Sequence, residues 1–343
     1  MKLCAVSYAL PSRRISNADL LGWLSETVQG LDAREIDSLC RQVERGFRLT
    51  GSQYRYWTRD DEPVIGHAVT ACRDALAKSG LTPDNVEAII YVGVGRGLLE
   101  PASAAAVQKQ LGAANATGFD ILEACVSWLR GLEVAQALLK AGRYRNVLLV
   151  NCEMGMRPFA TVEDLRLSNL DLYFAGLTVG EAATATVLLP DGPDIDFHFR
   201  TFPQGYGYCM IPMENADRFA PGEVPSHALL NRFFADSAPL LESGLAGMRE
   251  LYAQTGYAGG EPPGLTLTHS VSERASRMAL DMLGLDWGKH FDIHASHGNT
   301  VSASLPLGLA LAMEAGRLDT PTDLLLIGAG AGISVGFGRL CFG

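Results

Sequence analysis

Two stretches of the chain are apolar on almost every side at helical spacing. No residue from Thr300 to Met313 is charged, and the stretch after Cys125 carries only a thin polar stripe of Arg130, Glu133, Gln136 and Lys140. A helix with so little polar face has to be covered nearly all round. The segment EPVIGHAVTACRDALAKSG, from Glu62 to Gly80, has the ordinary amphipathic spacing and belongs on an outer surface. Short apolar runs rich in Val, Ile and Thr, EAIIYVGVG ending at Gly95 and GLTLTH ending at His269, read as strands.

The pattern repeats. AQALLKAGRYRNVLLVNCEMG from Ala135 and LALAMEAGRLDTPTDLLLIGAGAG from Leu309 each run from a helix through Ala-Gly-Arg and a turn into a strand. Gly142 and Gly316, where each helix wants a residue tolerant of left-handed φ, are 174 positions apart. The same offset carries Cys125 to Asn299 and His269 to Gly95, so all three reactive residues fall at strand-to-helix edges. In open α/β sheets that edge is where ligands bind. The expectation is an α/β chain of two similar halves, about 1–190 and 191–343. Two apolar helices would lie between two sheets in a five-layer αβαβα arrangement. Arg157–Thr178 and a cap-like Ser226–Tyr257 read as insertions on it.

Composition narrows the function. The 343 residues are 48% hydrophobic and 19% charged, with a formal charge of −10 and a pI near 5.2. That balance fits a globular enzyme and argues against a nucleic-acid surface, which needs a basic face. The opening MKLCAVSYALPSRR is too interrupted for a secretion signal, and Leu324–Gly338 is too short and glycine-rich for a membrane span. Seven scattered cysteines without CxxC or metal-ligand spacing read as reduced thiols, so a cytoplasmic protein without a metal is expected.

Cysteine, histidine and asparagine in this order suggest acyl chemistry. A thiolate attacks an acyl group, an imidazole moves protons, and a carboxamide donates hydrogen bonds without adding charge. Cys125 at the first turn of a helix is expected to be acidified by the helix dipole. A papain-like protease shares the order, but no C-G-x-C-W surrounds Cys125. GAGAG after LLLI leaves no room for a dinucleotide-binding unit, since only 11 residues follow Gly332.

The local motifs are more specific. FDILEACVSW resembles the nucleophile motif of the thiolase-like condensing enzymes, particularly ketoacyl-ACP synthase III. LTHSVSERASR resembles that family's histidine segment, HGNT at 297–300 matches its asparagine motif, and LIGAGAGISVGFGRLCF resembles its glycine-rich closing strands. The resemblance implies a homodimer of the thiolase fold that forms an acyl-thioester on Cys125. It implies that His269 and Asn299 hold the extender's carbonyl while carboxylate leaves, and that the backbone N–H groups of Cys125 and Ala331 form a second oxyanion hole. Arg274, matched to an arginine of the family motif, would contact a carrier protein or phosphate, with Arg277 one turn on. The expected substrates are acyl-CoA or acyl-carrier-protein thioesters, with no resident cofactor.

Departures point to a specialised relative in fatty-acid or polyketide metabolism. Arg45 and Leu49 stand where the family has a coenzyme A-clamping tryptophan and arginine, Glu123 precedes Ala-Cys, and GEAATA replaces a glycine-richer run. The alternative reading is an acyltransferase that passes the group from Cys125 to a hydroxyl or amine. His297 is expected to position the motif, and His294 is left open.

Overall fold

The computed structural model describes residues 1–160 and 162–343, so position 161, inside the Arg157–Thr178 segment, lies outside the described residues. Strands β1 (Lys2–Ala9), β2 (Ala88–Val92), β3 (Thr117–Ile121), β4 (Val147–Glu153) and β5 (Ala182–Leu189) form one sheet in the order β1-β5-β4-β2-β3. Strands β6 (Asp196–Thr201), β7 (Leu265–Thr268), β8 (Thr322–Gly330) and β9 (Ser334–Phe342) form a second, ordered β6-β9-β8-β7. In each sheet the first three strands pair antiparallel and the fourth joins the third in parallel. The duplication seen in sequence is thus repeated in strand order and sense, with β3 added at one edge.

Five layers follow. Helices α1 (Val64–Ser79) and α2 (Ser103–Leu111) cover the outer face of the first sheet, and α3 (Ser127–Lys140) lies on its inner face. Helices α4 (Ser237–Tyr252) and α5 (Glu273–Leu283) cover the outer face of the second sheet, and α6 (Ser304–Glu314) joins α3 in the middle. Strand β2 shows why. Ile90 and Val92 turn inward onto Trp128, Leu129 and Leu132, while Ile89 and Tyr91 turn outward onto Val69 and Val107. A strand covered on both faces needs no polar side, which explains its continuous apolar run.

The thin polar stripe on α3 is used rather than solvated. Gln136 donates to the Ile195 carbonyl at 3.0 Å and accepts from the Ile195 N–H at 2.8 Å. Lys140 reaches Asp194 at 2.6 Å, and Arg130 stacks on Phe199 at 3.7 Å. The stripe therefore docks on the segment that leads from the first sheet into the second.

The Ser226–Tyr257 segment is not a cap throughout. Its helix α4 buries Leu251 and Tyr252 against Val335 and Phe337 and is an outer layer of the fold, as α1 is in the first half. Among the described residues no helix is long and apolar enough to cross a membrane.

Three histidines pin the segment leading to Asn299. His290 Nε2 meets Thr268 Oγ1 at 3.0 Å. His294 spans Ser52 Oγ at 2.6 Å and the Ser270 carbonyl at 2.9 Å. His297 stacks on Tyr56 with its Nδ1 on Ser296 Oγ at 2.8 Å. Burial pulls all three down to about 4, so they are neutral when folded. Their contribution is present above the unfolded value of 6.5 and is lost as pH falls toward 4. Stability against urea is expected to fall steeply across that window, by on the order of 3 kcal/mol per histidine at most. His294→Gln should flatten the slope by about one proton. A urea midpoint that stays level down to about pH 5 would contradict neutral burial.

Candidate active site

Cys125 sits in a 3₁₀ turn, Ala124–Val126, directly before α3. Ser127 Oγ accepts from the Glu123 N–H at 2.8 Å and donates to the Ala124 carbonyl at 2.7 Å, which closes the turn. The Glu123 carboxylate is held by Arg130 at 2.7 Å. The departure noted at Glu123 is therefore a brace that ties the residues before the nucleophile to α3.

The end of β8 brings the other groups to it. The Ile327 carbonyl accepts the His269 N–H at 2.8 Å, and the Ala329 carbonyl leans on the His269 ring. A side chain on Gly330 would stand 3.1 Å from the Cys125 nitrogen. So the last residues of strand β8 reach both the histidine and the cysteine, and Ala331 follows at once. A Cβ on Gly330 would press on the Cys125 amide, which would have to give way by a few tenths of an ångström.

Asn299 is placed by contact between the halves. Its N–H donates to the Thr178 carbonyl at 2.9 Å, and its own carbonyl accepts from Gly180 at 3.0 Å. Gly298 has φ +71°, and a Cβ there would be 2.5 Å from the Thr178 carbonyl oxygen; one on Gly180 would be 1.9 Å from that of His297. The two glycines let these segments meet. The Asn299 Oδ1 accepts from the Val301 N–H at 2.9 Å and lies 3.1 Å from His269 Nε2. The Ala124–Val126 turn packs on the Val301–Ala303 turn, so Cys125, His269 and Asn299 share one site.

Two expectations are corrected. The Cys125 thiol is not acidified: burial pushes it well above its usual value, with Cys209 and Glu153 adding to the shift. Desolvation outweighs the dipole at the helix start. The offset of 174 also slips by three at the helix starts. Ala124 and Val301 share positive φ, +45° and +51°, and α3 and α6 begin at Ser127 and Ser304. The structural counterpart of Cys125 is thus Ser302, because α6 is shorter than α3, with 11 residues against 14.

His269 is lowered by burial, partly offset by its contact with Asn299. Arg274 is exposed on α5 and makes no ion pair among the described residues. Arg277, expected to share a basic patch with it, is tied to Glu273 at 3.0 Å and lies over Trp287 at 3.9 Å. Arg45 and Leu49 are both exposed on the helix Ala33–Thr50.

Sequence reasoning missed three neighbours. Cys209, its thiol pushed up to about 12 by burial, lies close enough to Cys125 to resist its ionisation. Glu153 does the same from the end of β4. A cleft of about 480 Å³ is lined by Trp23 and Trp57, by Arg13, Arg157 and Arg232, and by Asp60, Glu163 and Asp164, and the Trp57 indole donates to the carbonyl of Val179, which bridges to Asn299. No motif flagged these, since their partners are distant in sequence.

Two family models match the chain. That for 3-oxoacyl-[acyl-carrier-protein] synthase III covers residues 119–201, and that for its C-terminal part covers 264–339. A β-ketoacyl-[acyl-carrier-protein] synthase III of Listeria innocua is 28% identical over 290 residues, 84% of this chain and 86% of the relative. One from Neisseria meningitidis is 25% identical over 341 residues, 98% and 97% of the two chains. Crystal structures of Xanthomonas campestris OleA share the fold. A cysteine-to-serine variant with bound lauric acid and lauroyl-CoA superposes with TM-score 0.84 at 21% identity, over 99% of this chain and 98% of that one.

A neutral thiol at rest has a measurable consequence. Alkylation of Cys125 by iodoacetamide, followed by peptide mass spectrometry, is expected to climb steadily from about pH 7 to about pH 9 without a plateau. An inflection below about pH 8 would mean that the thiolate forms in the free protein.

Proposed function

Because this chain is a ketoacyl-ACP synthase III-like condensing enzyme of the thiolase superfamily, we propose that it carries an acyl group on Cys125 and condenses it with an extender that loses CO₂. The observation that carries this reading is the His269–Asn299 pair, 3.1 Å apart, set across the turn contact from Cys125.

In the first half-reaction the Cys125 sulfur attacks the carbonyl of an acyl thioester. Its proton leaves with the departing thiol, and the oxyanion is met by the N–H groups of Cys125 and Ala331. In the second, the carbon–carboxylate bond of the extender breaks. CO₂ departs, and the electron pair becomes an enolate whose oxygen takes hydrogen bonds from His269 and Asn299. The enolate carbon attacks the acyl carbonyl, and the Cys125 thiolate is expelled and reprotonated. Neutral donors suit this role, since they stabilise developing charge without pairing with the extender's carboxylate beforehand. The thioesters supply all the chemistry, so no resident cofactor is invoked.

The substrates are CoA or carrier-protein thioesters in specialised fatty-acid or polyketide metabolism. Arg274, exposed beside the histidine segment, is the residue we assign to the carrier.

The partner is a second copy. Strand β3 is one of the two edges of its sheet, with Thr117 and Gly118 exposed, and Leu122 just beyond it is 62% exposed. Leu98 and Leu99 are exposed as well. An apolar, unpaired edge is a template for pairing with another chain. Leu122→Asp is expected to shift the protein from dimer to monomer in light scattering; a wild type that elutes as a monomer at micromolar concentration would remove the assignment.

The chemistry is tested by intact-protein mass spectrometry with a panel of acyl thioesters. The wild type should gain one acyl mass and Cys125→Ala none. Asn299→Ala should still be acylated yet release CO₂ from malonyl-CoA about 10²–10³-fold more slowly, as expected for one lost oxyanion donor. If the acylated wild type releases no CO₂ from malonyl-CoA, and Asn299→Ala is acylated and passes its acyl group to a hydroxyl or amine acceptor as fast as the wild type, transfer becomes the better reading.

A further inference from the structure

Glu153 ends β4 with none of its surface exposed, and the proposed reaction gives it no role. Its carboxylate accepts the N–H groups of Val94 at 3.0 Å and Gly95 at 2.7 Å. It also takes the N–H of Ser302 at 3.4 Å and, in a short contact, the Ser302 hydroxyl. Asn151 Nδ2 donates to the same hydroxyl at 2.8 Å, and Thr184 Oγ1 donates to Asn151 Oδ1 at 3.3 Å. Asn151, Glu153, Thr184 and Ser302 are all buried. The chain wraps closely around the acid: a Cβ on Gly93 would stand 2.4 Å from the Glu153 carboxylate.

The other end of this network is the active-site turn. Ser302 is the counterpart of Cys125 and follows Val301, whose N–H holds the Asn299 side chain. Glu153 and Ser302 are 149 positions apart in sequence and belong to different halves. A buried carboxylate is expensive to keep unless donors surround it. Hydrophobic residues would hold β4 and α6 together without that expense. What they would not do is fix one orientation of the turn.

We propose that Glu153 is a positioning residue that, through the Ser302 hydroxyl and with Asn151, holds the Val301–Ala303 turn in the orientation that aims the Asn299 carboxamide at the extender. The inference rests on the proposed role of Asn299. Glu153 touches no substrate. It acts through Ser302, and its removal loosens one donor while the Cys125 turn keeps its own brace of Ser127, Glu123 and Arg130.

The test uses the full-length protein and three variants, Ser302→Ala, Glu153→Gln and the double change. Ser302→Ala removes only a hydroxyl and should fold even if Glu153→Gln is unstable. In Ser302→Ala, acylation of Cys125 is expected to stay within about twofold of wild type, whereas kcat for CO₂ release from malonyl-CoA falls about 10–100-fold with KM little changed, the usual result of a small misplacement. Glu153→Gln is read by CO₂ release and the Asn299 signal, since Glu153 also opposes ionisation of the Cys125 thiol. The double variant should be no worse than Glu153→Gln alone, because the two residues act as one unit. The side-chain amide signal of Asn299 in the NMR spectrum, identified by its loss in Asn299→Ala, should shift in Ser302→Ala. Equal losses in acylation and CO₂ release in Ser302→Ala, or an unmoved Asn299 signal, would overturn the proposal. If the wild type itself releases no CO₂, the condensing reading fails, and the Asn299 signal alone then decides whether Glu153 positions that residue.

Discussion

The constraint on which the structure depends is the need to bury two helices on nearly every side. Every residue of α6 from Ser304 to Ala310 is buried, and α3 hides Trp128, Leu129, Leu132, Ala135 and Leu139. Each large apolar side chain removed from water contributes roughly 1.5–3 kcal/mol, and one sheet covers only one face of a helix. Two sheets are needed, and each then needs an outer helical layer. The same packing sets both helix starts side by side, which is why the turns carrying Cys125 and Ser302 touch. The site is a by-product of how the central layer is covered.

That location controls the chemistry. The surrounding protein raises the Cys125 thiol and lowers the His269 imidazole, so both are neutral in the resting state. A dry site favours groups that stabilise charge only when it develops. Two fully buried carboxylates are surrounded by donors. Glu181 accepts from the N–H groups of Thr58, Gly155 and Met156 and from the Thr58 hydroxyl, at 2.6–3.2 Å. Glu153 is handled in the same way, with one difference: part of its shell belongs to the other half of the chain.

Close approach of backbones decides much of the local sequence. Gly180 and Gly298 face each other's chains where the halves meet, and Gly330 leaves room for the Cys125 amide. These positions account for glycines in GEAATA, HGNT and GAGAG by sterics alone. The glycine substitutions in GEAATA fall on Ala182 and Thr184, which are buried in β5.

The duplicated order of elements, the two apolar helices and the cysteine–histidine–asparagine order were all legible along the chain, because each rests on local periodicity or on a motif a few residues long. Those features determined the layered fold and nominated the site. Only the tertiary structure decided the rest. The counterpart of Cys125 is Ser302 because α6 is shorter than α3, a difference of length that a fixed offset does not register. Helix α4 is an outer layer because the Val335 and Phe337 side chains need covering, a demand made by a strand some ninety residues later. The state of the Cys125 thiol depends on burial and on Cys209 and Glu153, and the orientation of Asn299 on groups from the other half. Proton affinity and side-chain aim are set by neighbours in space, and a sequence specifies those only once it has folded.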